Sequence, residues 1–161
     1  MKFRPCHHRA MRAFSCPVCN GFVAFESHRC PACQARLGFH LPSQAMVVID
    51  GATTTIDGRP WLPCTQSSTL NCNWLAPEDQ DGYARGRCAA HALIRNEPDP
   101  GDTLAREKLV PTAEALRRLV YQLADLHLPI DPWWRRAGGL AFDLLSSHST
   151  GEKVVIGHAD G

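Results

Sequence analysis

Hydrophobic and polar positions change rhythm several times along this chain. Between residues 13 and 41 the apolar residues come in short runs, Phe22, Val23 and Phe25 among them, separated by polar turns. Such runs suit small strands and are too short to lay down a helical face. Residues 45–50, AMVVID, read as another short strand closed by the turn formers Asp50 and Gly51. From there to about residue 100 the chain is rich in Thr, Ser, Pro and Asn. Its apolar content alone would not hold that stretch together.

A helical period begins at Asp102 or Thr103, either of which can cap the free amides of a first turn. Val110, Ala113, Leu116, Val120, Leu123 and His127 recur at spacings of three and four. Glu114, Arg117, Arg118, Gln122 and Asp125 take the other side. Pro111 interrupts the pattern, which predicts either a short helix near 103–109 with a longer one over about 111–127, or one kinked helix. A helix so patterned is expected to cover a core. After LPIDPWW, whose two prolines stop the helix, GLAFDLL and KVVIGH read as two short C-terminal strands. The fold class expected is a small α+β arrangement: short antiparallel strands at the N-terminus, a loop module, an amphipathic helix and two short strands.

Composition narrows the function. Seventeen Lys and Arg against sixteen Asp and Glu leave a net charge of +1, so the whole molecule lacks the field of a dedicated nucleic-acid binder. No segment approaches the roughly 20 apolar residues of a membrane span, and the N-terminus carries no signal sequence, so a cytoplasmic location is expected. In a reducing compartment eight cysteines are poor candidates for disulfides, and their grouping points to metal.

Cys16-Pro-Val-Cys19 and Cys30-Pro-Ala-Cys33 are two knuckles separated by ten residues, and each tight turn aims two sulfurs at one centre. Four thiolates suit tetrahedral zinc, and a site filled by four protein ligands leaves no opening for water or substrate. Iron in the same four-sulfur shell is the alternative that spacing leaves open. About thirty residues with few aromatics cannot bury enough surface to fold alone, so metal must supply the difference. Cys64, Cys72, Cys88 and His91 form a looser set, closed by the Cys88-Ala-Ala-His91 knuckle. Three thiolates and an imidazole make a second zinc shell, against the plainer alternative of small buried hydrophobes and an ordinary histidine. Cys6, beside His7 and His8, is left over and reads as a spare thiol.

Taken in order, CPVCNGFVAFESHRCPACQARLGF, CNWL at 72–75, the Cys88 knuckle, the helix with LVYQL, GLAFDLL and VIGHADG resemble a bacterial family of zinc-binding metallopeptidases that begin with a zinc ribbon. The resemblance runs from about Met11 to Gly161. In that family the second cluster usually ends in cysteine, so His91 departs from the pattern while preserving a ligand. The resemblance also implies a following helix bearing His-Glu-x-x-His, where two histidines bind a catalytic zinc and the glutamate activates water. No Glu directly follows a His in this chain, so no catalytic residue is assigned. His127, His148 and His158 read as surface or packing residues.

The organisation expected is therefore a basic extension over 1–12, a zinc ribbon over 13–41, a second zinc-binding module over 45–100, a helical segment over 102–128, and an incomplete, truncated start of a metallopeptidase-like domain over 130–161. Two structural Zn2+ ions are the expected cofactors. Within residues 1–40, Lys2, Arg4, Arg9, Arg12, Arg29 and Arg36 face only Glu26. Four of these six lie in the extension, which leaves protein or peptide ahead of nucleic acid as the expected partner, and membrane excluded.

Overall fold

The computed structural model describes residues 13–80, 82–146 and 151. The expected basic extension with Cys6, the KVVIGH strand, His148 and His158 lie outside the described residues. Within them the chain forms one helix and a series of short strands, most of them paired antiparallel.

Strands β1 (Phe14–Ser15) and β2 (Phe22–Val23) pair antiparallel around the first knuckle. An antiparallel bridge between Arg29 and Arg36 flanks the second knuckle in the same way. Strand β3 (Leu37–His40) pairs with β4 (Ala45–Val48), Leu37 opposite Val48 and His40 opposite Ala45. All four residues of β3 are buried. Gly38 is required there, because a Cβ would come within 2.7 Å of the Leu75 side chain.

The stretch that shows little pattern in the sequence builds a three-stranded sheet from β5 (Thr54–Ile56), β6 (Arg59–Pro63) and β7 (Leu75–Pro77), in that order. Its hairpin turns on Asp57 and Gly58, both in the left-handed region at φ 50° and 76°. Asp-Gly is the residue pair such a two-residue turn favours, a signal present in the sequence that the pattern reading passes over. Strand β8 (Ile94–Asn96) pairs in parallel with β9 (Phe142–Asp143), so GLAFDLL contributes only two residues of strand. The helix is the crossover between these two strands.

That helix, α1 (Thr103–Asp125), is continuous through Pro111. The Asp102 carboxylate accepts from the Ala105 amide at 3.0 Å, as a cap should. Pro111 is exposed, and the missing N–H costs a single ladder bond that the packed face outweighs. The helix ends in a Schellman turn: the Leu128 amide donates to the Leu123 carbonyl at 2.9 Å and His127 takes φ 57°. His127 is thus an exposed helix stop and not part of the apolar stripe.

The buried face comprises Leu109, Ala113, Leu116, Arg117 and Val120. Arg117, which its charge assigns to the polar side, has no exposed surface, and Leu123 is only half-buried. Tyr121 reaches Phe14, Phe25 and Phe39, with ring centroids 5.2 to 6.0 Å apart, and Phe25 and Phe39 meet Trp74 at 6.0 and 5.0 Å. One aromatic cluster therefore joins the first ribbon, the β3–β4 hairpin, the second cysteine loop and the helix. Edge-on and tilted rings at such distances contribute about 0.5–1.5 kcal/mol per pair beyond burial.

Candidate metal centres

The two knuckles of the first set are built alike. The Asn20 amide donates to the Cys16 carbonyl at 2.8 Å and the Gln34 amide to the Cys30 carbonyl at 2.9 Å. Asn20 and Gln34 both take the left-handed conformation, at φ 58° and 62°. Each knuckle thus ends on a reversal that turns its two sulfurs inward. Cys16 Sγ lies 3.6 Å from Cys33 Sγ, and Cys19 Sγ 3.5 Å from Cys30 Sγ. Four sulfurs about 2.3 Å from one tetrahedral ion sit about 3.8 Å from each other, so the set has the spacing of a zinc shell and is far too open for disulfides. Cys16 and Cys30 are buried while Cys19 and Cys33 face solvent.

The structure brings Cys64, Cys72, Cys88 and His91 together in the same manner, with their donor atoms all within 4.8 Å of one another. Cys72 Sγ is 3.8 Å from Cys88 Sγ, and His91 presents Nδ1 to Cys64 Sγ at 3.4 Å. All four residues are buried. The Trp74 amide donates to Cys72 Sγ and the Cys88 amide to Cys64 Sγ, each at 3.4 Å, the bonds that favour thiolate over thiol. Asn71, at φ 49°, turns the backbone just before Cys72.

Protonation in the metal-free chain follows from this crowding. The Cys33 amide, the largest influence, helps to hold the Cys30 thiol down at about 6. The Ala35 amide draws Cys33 down, but burial and the neighbouring sulfurs together push it up to about 12. In the second set, hydrogen bonds from the Cys72 and Cys88 thiols lower Cys64, sharing with Cys64 pushes Cys72 up to about 12, and burial raises Cys88. Each set thus favours one thiolate, held by backbone amides and by its neighbours' thiol protons. A divalent cation that replaces those protons satisfies every sulfur at once.

Two residues of the site are not evident from the sequence. Arg117 donates through Nε and Nη2 to Glu26 Oε2 at 3.0 and 2.7 Å, and its Nη1 lies 3.4 Å from His91 Nε2. Asn73, also buried, donates through Nδ2 to the Phe25 carbonyl at 2.7 Å and the Ser27 carbonyl at 3.2 Å, tying the second cysteine loop to the first ribbon. Spacing alone places Arg117 on the ridge of Ala113, Leu116 and Val120; its charge points the other way.

Two cysteine-rich sets suited to zinc, carried on short strands and knuckles, are the marks of a zinc-ribbon protein. The family model for a zinc-ribbon domain matches residues 13–101, more than half the chain, and the chain belongs to that family. A second family model, described as "putative zinc-binding metallo-peptidase", matches residues 106–161. Uncharacterised proteins of Mycobacterium bovis and of two strains of Mycobacterium tuberculosis are 37% identical over 157 residues, which cover 94% of this chain and 41% of each relative. The chain thus spans about two fifths of the length of these relatives. No solved structure matches it. Among the described residues no helix is long and apolar enough to cross a membrane.

Proposed function

We propose that this chain is the zinc-stabilised N-terminal part of a metallopeptidase-like protein, supporting a catalytic part without hydrolysing peptides itself. In this reading Cys16, Cys19, Cys30 and Cys33 hold one structural zinc, and Cys64, Cys72, Cys88 and His91 a second. The observation that carries it is that both donor sets are complete with four protein atoms. Hydrolysis needs an open coordination position and a nearby base, and a filled tetrahedron offers neither. The match of residues 106–161 to the metallopeptidase model supports the link to a catalytic part.

Elemental analysis of the purified chain should find two zinc ions per chain, and peptide hydrolysis should be absent with or without added zinc. Hydrolysis that survives purification and disappears with chelator would overturn the reading. Reading the coding DNA past the Gly161 codon in all three frames should reveal a His-Glu-x-x-His; its absence from every frame would remove the link to catalysis.

One observation favours a second reading, a binding module for an anionic partner. Arg29 and Arg36 stand opposite each other in an antiparallel bridge, two cations on one part of the ribbon that phosphates could meet. Titration with duplex DNA at two salt concentrations tests it, because phosphate contacts weaken as salt rises.

A further inference from the structure

We infer that Arg117 couples zinc binding at the second centre to the docking of α1, so that the helix seats firmly only on a loaded ribbon. The inference rests on the proposal that the Cys64, Cys72, Cys88 and His91 set holds zinc.

Arg117 is the only fully buried charged side chain among the described residues, and its contacts come from three separate segments. Glu26, between the two knuckles of the first ribbon, accepts both Nε and Nη2 on its Oε2. The Leu70 and Asn71 carbonyls, just before Cys72, each accept from the guanidinium at 3.4 Å. His91 supplies the third side. Arg117 itself belongs to the part matched by the metallopeptidase model, and all its partners to the part matched by the zinc-ribbon model. The one buried cation thus bridges the two family regions.

An arginine in a core is tolerated only while its partners stay in place. Half of this socket is backbone and ring belonging to the second cysteine loop. That loop contributes Leu70 to a small cluster with Leu109 and Ala113 and is tied to the first ribbon through Asn73, but the backbone on either side of Leu70 and Asn71 is gathered by the four donors that converge from 28 residues of chain. Removing the ion leaves crowded thiols without the centre that draws them together, which loosens the hold on the Leu70 and Asn71 carbonyls and the His91 ring. A buried guanidinium left with Glu26 as its one fixed partner then favours release of the helix. In the other direction, zinc with three thiolates and an imidazole leaves one net negative charge, and the Arg117 guanidinium lies 3.4 Å from that imidazole. With zinc on Nδ1 the remaining ring proton sits on Nε2, so the attraction is to the charge of the whole centre and not a hydrogen bond to the ring. Linkage makes the two effects one: docking strengthens zinc binding by the same factor as zinc strengthens docking.

The test titrates a zinc chelator against the full chain while following zinc release and amide-hydrogen exchange over residues 103–125. In the unmodified chain, α1 should lose protection in step with release of the second zinc. Arg117→Met, which fills the site with an apolar chain of similar length, should weaken zinc at the second centre by roughly tenfold to a hundredfold, as loss of a residue supporting metal ligands commonly does. In that variant helix protection should no longer follow zinc release. Should it fail to fold, Glu26→Gln keeps Arg117 and every metal donor and should show the same uncoupling in smaller measure. Unchanged zinc affinity and unchanged exchange in both variants would overturn the proposal. If the unmodified chain holds both ions yet α1 stays protected after the second is removed, the coupling fails and the zinc reading stands. If it never holds a second ion, both fall together.

Discussion

The two cysteine sets offer almost the same donors to a metal and differ in where the protein puts them. The first is half exposed and made locally: two knuckles ten residues apart, each closed by its own turn. The second is wholly buried, and its donors are gathered from 28 residues of chain by loops with little periodic pattern. All three of its cysteines belong to the main core cluster with Phe39, Trp74, Leu116 and Val120, whereas the first set sends only Cys16 and Cys30 there. A site made locally can be lost locally. A site inside the shared core takes the core with it.

The largest effect should come from Cys88→Ser. It should reduce zinc from two ions per chain to one and abolish protection across α1 and the β5–β6–β7 sheet, because a structural zinc in a small module is worth on the order of 10 kcal/mol. Cys33→Ser should also remove one ion but leave α1 protected, with exchange rising mainly over residues 14–36. Elemental analysis with residue-resolved exchange separates the two, and equal spread of damage from both variants would break the contrast. Trp74→Ala comes next. Trp74 is 1% exposed and packed edge-on against Phe25 and tilted against Phe39, so the loss should be about 3–5 kcal/mol by denaturant unfolding at saturating zinc.

A smaller effect is expected at His40, buried against Trp61 with Nδ1 to Ser43 Oγ at 2.8 Å. Burial, opposed in part by Asp57, lowers its pKa below the ordinary 6.5. The unfolded chain therefore takes up a proton that the folded chain refuses, and stability present above pH 6.5 is lost as pH falls towards the lowered value. His40→Phe should flatten that part of the stability–pH curve, measured with zinc held in excess. The least effect should follow Phe22→Ala. Phe22 is 68% exposed on the first ribbon, and the change should stay within about 0.5 kcal/mol while leaving both zinc ions bound.

Much of this was legible in the residues. The paired knuckles announce the first set because ligands and turns lie within a few positions of each other. The second set is legible by residue type and by its closing Cys88–His91 knuckle, although nothing in the spacing says that it lies at the centre of the molecule. The helical stretch and its start at Asp102 or Thr103 are legible, although Pro111 leaves two helices or one kinked helix open where the structure has one continuous helix. The three-stranded sheet was hidden because its strands are short and carry Thr, Arg and Pro, with only the Asp57-Gly58 turn to mark it. Arg117 was misassigned for a physical reason: a charge argues for solvent until its partners are known, and Glu26 lies 91 residues away.

By itself, then, the sequence determined which atoms could bind metal, where the helix begins and stops, and that some agent beyond apolar burial must stabilise the N-terminal part. Those are matters of local spacing and side-chain chemistry. Tertiary structure alone decided the burial of the second centre, the meeting of Phe14, Phe25, Phe39, Trp74 and Tyr121, and the seat of a charged arginine between two cysteine-rich modules. Each of these depends on pairs far apart in the chain, whose free energy appears only when the backbone has already brought them together.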